Sequence, residues 1–293
     1  MPASPNIILY GSGLFGRNVS SINSVQLAQV QSSGFTTVIL WALHIDEQGF
    51  LYYNDTLIAS NGVFSATYAY LPDLLNALKE SSSSVTTILF SIGGWGVGDF
   101  ENAKTLLATP DGKQALWRNF QALTAALPID GFDFDMEQTY DVTTLVTLTR
   151  FLSYNGMIVT YCPYTEQDDV WNPALTQVYT WDQQQETPQP QTVQWWNLQC
   201  YAGGGGNIPA TWVADIPAQT TSGVADPAAF VIPGYDAGQG AASIQNTFAG
   251  LVSNDKGING GFIWNSSEIF DSGTTPQEYA QAIIQGLQGK TTS

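Results

Sequence analysis

Four acidic residues are concentrated in one short stretch, DGFDFDMEQ, at positions 130–138. Asp133, Asp135 and Glu137 occupy every second position, and apolar residues fill the positions between them. Because successive side chains of a β-strand point to opposite faces, this alternation predicts a strand with one acidic and one apolar face. Asp130 falls on the opposite parity, and we therefore expect it to have a structural role.

The three acids on one face would influence one another's ionisation. Residues two apart on a strand are separated by about 6–7 Å at Cα, so neighbouring carboxyl groups can hydrogen-bond or share a proton. Close like charges raise the pKa of at least one carboxyl group, and glycosidic bond cleavage requires an acid that is still protonated near neutral pH. The alternatives are a solvated acidic face, as most charge runs are, and a Ca²⁺ site, for which a strand lacks the loop spacing.

Elements that would position these acids recur along the whole chain. Eight apolar runs alternate with segments of helical pattern. The runs are 6–11, 36–45, 86–94, 129–137, 156–164, 194–202, 229–235 and 260–266, and the helical patterns include 24–32, 69–80, 113–127, 141–153, 239–254 and 276–288. Runs that are apolar on both faces are typical of parallel strands covered by helices. The pattern predicts one α/β domain over residues 1–293, a (β/α)8 barrel.

A doubly wound open sheet is the competing fold, but no evident nucleotide-binding fingerprint accompanies the eight strands. In a barrel, chemistry takes place at the C-terminal ends of the strands, where the acidic stretch lies. Residues 236–259 have the length of a simple helical connection, so we expect no α+β insertion before the last strand.

Composition restricts the partners of the chain. Its 293 residues include 25 Asp and Glu but only 8 Lys and Arg, a formal net charge of −17. Nucleic acids and anionic membranes are therefore disfavoured partners, and no stretch resembles a transmembrane helix. The 9 Trp and 13 Tyr favour a neutral ligand with flat apolar faces, such as a sugar. We expect a monomer with free thiols at Cys162 and Cys200, extracellular if a signal peptide has been removed and otherwise cytoplasmic.

The acidic stretch resembles the D-x-x-D-x-D-x-E motif of glycoside hydrolase family 18, the chitinases and endo-β-N-acetylglucosaminidases. Asp130, Asp133, Asp135 and Glu137 occupy its four acidic positions. Other family elements follow in the expected order: Ser91, Gly93 and Gly94 of an S-x-G-G motif, then Trp95, then Gln199 and Tyr201, and finally Trp264, with Tyr10 on the first run. The resemblance therefore spans nearly the whole chain.

The resemblance implies retaining, substrate-assisted hydrolysis of β-1,4 bonds between N-acetylglucosamine residues, with no metal or organic cofactor. Glu137 would protonate the glycosidic oxygen and later activate water. The substrate's own 2-acetamido oxygen would be the nucleophile, oriented by Asp135. Asp133 would share a proton with Asp135, and Tyr201 would hydrogen-bond the acetamido oxygen.

The resemblance also implies a sugar-binding surface. Trp264 would stack beneath the sugar, and the further substrate contacts would be Gln199, Trp95, Tyr10 and Gly94. Asp130, Ser91 and Gly93 would be structural. For the aromatic residues, packing in the core is the alternative, and we assign Trp41 to the core or the rim.

Several functions remain open. The intact acids favour an enzyme, and the absent insertion implies a shallow groove and endo-acting cleavage of chitin or chitooligosaccharides. The alternatives are an endo-β-N-acetylglucosaminidase acting on the chitobiose core of N-glycans, and a catalytically silent lectin-like or inhibitory protein. A barrel enzyme of unrelated metabolism would require a phosphate loop, for which 233–242 is a faint candidate.

The chain departs from the family pattern after Tyr201. The family often has Asp or Asn at the next position, but here Ala202 and the glycines of 203–206 follow, and we expect this segment to form a flexible lip.

Overall fold

The computed structural model describes residues 5–16, 19–185, 191–254 and 257–292. Eight parallel strands form a closed barrel, because the first and second strands pair with each other as well as with their other neighbours. The strands are β1 (Asn6–Ser12), β2 (Thr37–Ile45), β3 (Leu51–Tyr53), β4 (Thr56–Ser60), β5 (Val63–Phe64), β6 (Thr87–Gly93), β7 (Gly131–Asp135), β8 (Ile158–Tyr161), β9 (Val193–Gln199), β10 (Val231–Asp236) and β11 (Gly260–Trp264). All except β3, β4 and β5 belong to the barrel. The predicted (β/α)8 barrel is confirmed.

Helices follow the barrel strands and cover their outer faces. They are α1 (Ser20–Gln31), α2 (Leu71–Leu78), α3 (Asp99–Leu107), α4 (Pro110–Ala126), α5 (Val142–Tyr154), α6 (Asn172–Gln183), α7 (Pro209–Ala214), α8 (Gln219–Ser222), α9 (Pro227–Phe230), α10 (Ala241–Asn254), α11 (Ser266–Ser272) and α12 (Pro276–Leu287). Their starts have local causes. Thr109 caps α4 just before a proline, and Thr275 with Glu278 forms a capping box around the first turn of α12.

The parity predicted for the acidic stretch is present in β7. Asp133 and Asp135 point into the barrel, whereas Phe132 and Phe134 point outward to the helices. Phe132, for example, packs edge-on against Phe120 of α4, with ring centroids 5.3 Å apart. All four strand residues are buried. The outward rings therefore anchor the strand, and the inward carboxyl groups depend on polar partners inside the barrel.

An antiparallel ribbon of β3, β4 and β5 extends from the end of β2 and was not predicted. It packs against α4, where the Asn119 side chain donates to the Gly49 carbonyl at 2.6 Å and accepts from the Gly62 amide at 2.8 Å. Its two turns place Asn54 and Asn61 at positive φ, 46° and 52°. Asn followed by Asp or Gly between short apolar runs is a hairpin pattern, so the ribbon had a recognisable signal.

The connection between β10 and β11 contains a short turn and α10, and no strand among its described residues. Cys162 and Cys200 are both buried free thiols, as predicted. In the ranges that the structure describes, no helix combines the length and the hydropathy needed to cross a bilayer.

Candidate active site

A cavity of about 550 Å³ opens at the C-terminal ends of the barrel strands. Aromatic rings and carboxyl groups both line its wall, which is formed by Trp41, Trp95, Asp135, Glu137, Tyr164, Gln199, Tyr201, Ala202, Gly203, Asp236 and Trp264. Its volume is in the range typical of ligand sites. A larger hollow, about 900 Å³, lies near the start of β8 and β9, and none of its described lining residues carries a carboxyl group. The smaller cavity is lined by three, those of Asp135, Glu137 and Asp236, which are the groups suited to acid–base chemistry.

Asp133 forms the polar centre of the barrel beneath this cavity. One carboxylate oxygen accepts from the Tyr10 hydroxyl at 2.8 Å and the Ser91 hydroxyl at 3.0 Å. The other accepts from the Thr160 hydroxyl at 2.6 Å and the Asn197 amide at 2.9 Å. Burial raises the pKa of Asp133, and these hydrogen bonds act in the opposite direction. Four strands thus each provide one donor to a single carboxyl group.

Asp135 lies at the cavity floor and is 3% exposed. Its oxygens accept from the Gln199 side chain at 2.9 Å and from the Trp41 indole at 3.3 Å. Gln199 also reaches Glu137, at 3.4 Å between Nε2 and Oε1. Burial, then the charges of Glu137 and Asp133, raise the pKa of Asp135 well above its ordinary value, and a hydrogen bond to Glu137 acts in the same direction. Asp135 therefore retains a proton at a pH where an exposed aspartate is ionised.

The hydrogen bond that raises the pKa of Asp135 joins it to Glu137, whereas the sequence led us to expect that Asp135 shares a proton with Asp133. The four donors around Asp133 occupy the lone pairs that such a bond would use. Asp133 acts on Asp135 through its charge instead.

The turn after β6 is shaped by two glycines. Gly93 and Gly94 have φ of 107° and 120°, a region that favours glycine. A side chain at Gly93 would lie 2.2 Å from the Asp135 carbonyl oxygen, and one at Gly94 would lie 2.9 Å from the Trp41 ring. The Gly94 amide also donates to the Asp135 carbonyl at 2.8 Å. We had expected Gly94 to contact substrate. It is buried and instead holds the end of β7.

Trp264, at the end of β11, is supported on several sides. Its ring lies nearly parallel to that of Tyr201, with centroids 6.0 Å apart and an angle of 11°. Trp41 meets it edge-on at 4.9 Å, and Tyr10 packs against it at 5.7 Å. Trp264 is half-buried and forms part of the cavity wall. The arrangement fixes the indole plane, as a stacking platform for a sugar requires.

Three other predicted site residues lie in different surroundings. Tyr10 was expected to contact substrate, but its side chain is fully buried and its hydroxyl is bound to Asp133. Trp95 lies on the rim and is 71% exposed. Asp130 lies just before β7, at the far end of the barrel. It pairs with Lys79 at 2.7 Å and accepts from the Ile88 amide at 2.7 Å, outside the cavity.

Sequence reasoning missed Trp41, Tyr164 and Asp236 as cavity residues. Asp236 ends β10 and Tyr164 follows β8 closely, whereas Trp41 lies midway along β2, in register with Ser12 at the end of β1. For Asp236 and Tyr164, position at a strand end was the available signal, because those ends converge in a barrel.

The segment after Tyr201, where we expected a flexible lip, begins with a short turn at Ala202–Gly204 on the cavity wall. A side chain at Gly203 would lie 2.9 Å from the Tyr164 ring. The Asn207 amide donates to the carbonyls of Tyr164 and Gln199, both at 2.8 Å. Close packing thus favours glycine at Gly203 and Gly204, whereas a side chain at Gly206 would have no neighbour within 4 Å. No three His, Cys, Asp or Glu side chains in the described ranges are grouped so as to hold a metal ion.

No protein-family model matches the chain, and no curated protein sequence matches it. Solved structures do match. A fungal endo-β-N-acetylglucosaminidase of glycosyl hydrolase family 18 aligns over 97% of both chains, with 22% identity and a TM-score of 0.65. A chitinase from Aspergillus fumigatus aligns over 89% of this chain and 91% of its own, with 21% identity and a TM-score of 0.61. A chitinase-like agglutinin from Robinia pseudoacacia aligns over 96% and 99%, with 12% identity and a TM-score of 0.62.

At these identities the likeness establishes the fold: the chain has the same barrel as these proteins. Two of the three neighbours are named as enzymes. Because one neighbour is an agglutinin, the case for catalysis depends on the cavity itself.

Proposed function

We propose that this protein is a retaining, endo-acting glycoside hydrolase of family 18 that cleaves β-1,4 bonds between N-acetylglucosamine residues of chitin or chitooligosaccharides. The observation that carries the proposal is the Asp135–Glu137 pair, joined through the Gln199 amide that donates to both carboxyl groups, at the floor of an aromatic cavity. Such a pair can provide one proton and one negative charge within the same site, and the reaction uses both before water restores the proton.

Glu137 is the proton donor. It lies just beyond β7, is partly exposed to the cavity and is therefore the more accessible member of the pair. Its proton passes to the glycosidic oxygen as the bond from that oxygen to C1 breaks. The acetamido carbonyl oxygen of the same sugar forms a bond to C1, giving an oxazolinium ion. Water then attacks C1, Glu137 accepts its proton, and the acetamido oxygen leaves. Two inversions at C1 give net retention.

Asp135 and Tyr201 act on the acetamido group. Once Glu137 holds the proton, the ionised Asp135 accepts a hydrogen bond from the acetamido N–H and stabilises the positive charge that develops on the ring. Tyr201, whose pKa is raised by burial, stays protonated and donates its hydroxyl hydrogen to the acetamido oxygen. The sugar ring stacks on Trp264.

An endo-β-N-acetylglucosaminidase acting on the chitobiose core of N-glycans is the second candidate. It is favoured by the alignment with the fungal enzyme, which extends over 97% of both chains. A silent, lectin-like role is disfavoured because Asp133, Asp135 and Glu137 are all present and hydrogen-bonded as an acid–base site requires.

The first prediction tests catalysis through Glu137→Gln. With the proton donor removed, we expect kcat on a chitin oligosaccharide or a high-mannose glycopeptide to fall about 10²–10⁴-fold with little change in KM. Glu101→Gln on the exposed face of α3 is the matched control and should keep full activity.

Both substrates are assayed with wild-type protein, together with a cellulose oligosaccharide that lacks the acetamido group. The hydrolase proposal would be overturned if the wild type cleaved neither of the two amino-sugar substrates, or if Glu137→Gln kept full activity. Efficient cleavage of the cellulose oligosaccharide would overturn the substrate-assisted step.

A further inference from the structure

Asp236 is a carboxyl group in the cavity wall that the proposed mechanism does not use. It is the last residue of β10, and it lies in register with Trp264, the last residue of β11. Neighbouring strands are about 4.8 Å apart, so the two side chains stand next to each other. A sugar ring that stacks on Trp264 therefore has one edge close to Asp236.

The carboxyl group of Asp236 is oriented by contacts with Gly238 and Glu268. One of its oxygens accepts from the Gly238 amide at 2.7 Å, and that amide also donates to Glu268 at 3.1 Å. The carboxyl groups of Asp236 and Glu268 thus accept from the same amide and lie side by side. Glu268 is itself fixed at the start of α11, where its amide donates to the Asn265 side chain at 3.3 Å. The group is thus oriented before any ligand arrives, which lowers the cost of binding.

The surroundings favour a hydrogen-bond donor as the partner of Asp236. An ionised carboxylate only accepts hydrogen bonds. None of the described residues that line the cavity is Lys or Arg, and on the side of β9 the wall ends in the small residues Ala202 and Gly203. The space next to Asp236 is therefore open, and sugar hydroxyl groups are the donors that the proposed substrate offers.

The position of Asp236 selects one hydroxyl group. In the proposed reaction the acetamido group on C2 is directed to Asp135, which ends β7. Asp236 ends β10, three strands further round the barrel. In a pyranose ring C5 lies opposite C2, so the edge that faces away from Asp135 carries the hydroxymethyl group on C5.

We propose that Asp236, positioned by Glu268, accepts a hydrogen bond from the 6-hydroxyl group of the sugar that stacks on Trp264. It is thereby a specificity-determining residue that selects amino sugars with a free 6-position. The inference rests on the proposed function, because that function sets the orientation of the ring.

The second prediction tests this inference by assaying each of two enzymes on each of two substrates. The enzymes are the wild type and Asp236→Ala. The substrates are an aryl β-chitobioside and its analogue in which the ring bonded to the aryl group is 6-deoxy. We expect the wild type to lose about 10- to 100-fold in kcat/KM on the 6-deoxy analogue. Asp236→Ala should show a similar loss on the parent substrate and no further loss on the analogue.

Glu268→Gln is the second variant, since it keeps the shape of the side chain. We expect a smaller loss, confined to the parent substrate. Asp271→Asn, an exposed neighbour on α11, is the matched control and should behave as wild type. Thermal unfolding of each variant shows whether it is folded.

An equal loss by Asp236→Ala on both substrates, or no loss on the parent, would overturn the inference. If the wild type cleaves neither substrate, the result contradicts the proposed function instead. In that case the same comparison is made with dissociation constants for chitobiose and its 6-deoxy form. Equal affinities in wild type and Asp236→Ala would then exclude a role for the carboxyl group.

Discussion

Asp133 has no exposure to solvent and no cationic partner among its hydrogen-bonded neighbours. Its carboxyl group is stabilised by neutral donors, one each from β1, β6, β8 and β9. Burying a carboxylate is costly unless its lone pairs are used. The same four bonds tie four strands to the centre of β7, so one residue contributes both to the barrel and to the electrostatics of Asp135.

The third prediction concerns Asp133→Asn. The charge of Asp133 helps to raise the pKa of Asp135, so removing that charge should lower the pKa of Asp135. In the proposed reaction the Asp135–Glu137 pair supplies the proton. We therefore expect the alkaline limb of the pH profile of kcat/KM to shift to lower pH in the variant.

The hydroxyl groups of Tyr10 and Ser91 can turn to accept from the new amide, so Asp133→Asn should stay folded. Asp133→Ala is the contrasting variant. It leaves four buried donors without an acceptor and should lower the free energy of unfolding by roughly 3–5 kcal/mol. An unshifted pH profile in Asp133→Asn would contradict the electrostatic role.

At the scale of elements, the end of β2 is joined to the start of α3. Asp99 accepts from the Ile45 amide at 2.6 Å and lies 2.8 Å from Nδ1 of His44. Asn102 donates to the Ile45 carbonyl at 2.8 Å. The loop that carries Trp95 runs between β6 and this junction. The rim of the cavity is therefore held by contacts outside the cavity.

The fourth prediction uses His44, the only histidine of the chain. Burial lowers the pKa of His44, but the hydrogen bond and charge of Asp99 outweigh it, and the pKa is raised above 6.5. A raised pKa in the folded state stabilises the protein below the pKa of the unfolded state. That contribution is lost as the pH rises through the folded value.

The free energy of unfolding of the wild type should therefore exceed that of His44→Gln at pH 6. At pH 8.5 this gap should be about 0.5–1 kcal/mol smaller. Urea unfolding at the two pH values measures this difference. A difference between the two proteins that is the same at both pH values would contradict the assignment.

The whole molecule carries a formal charge of −17, with 25 acidic and 8 basic side chains. Ion pairs in the described ranges join His44 to Asp99, Lys79 to Asp130 and Lys104 to Asp141. Most carboxylates thus have no neighbouring cation. Mutual repulsion of unpaired charges opposes the compact state.

The fifth prediction follows from this charge. Raising NaCl from about 10 mM to about 150 mM shortens the Debye length from roughly 30 Å to 8 Å. At pH 7 we expect the screened repulsion to add about 1 kcal/mol, or roughly 2–4 °C in Tm. Scanning calorimetry measures the change, and at pH 5, where carboxylates begin to titrate, it should be smaller. A fall in Tm with added salt at pH 7 would show that attractive pairs dominate.

The sequence by itself determined features that depend on local periodicity. Apolar runs with helical segments between them predicted the eight barrel strands, because burial on both faces leaves a continuous apolar pattern. Alternation predicted which face of β7 carries Asp133 and Asp135. The hairpins of the ribbon after β2 also had a local signal, in their Asn-containing turns.

Only the tertiary structure decided which side chains meet. Tyr10 matched a family position, yet closure of the barrel places its hydroxyl on Asp133 and its ring behind Trp264. Trp41 and Asp236 enter the cavity because of the strand order, which brings together residues far apart in the chain. The physical reason is that parity is a property of one strand, whereas a contact depends on how neighbouring strands pair and where each of them ends.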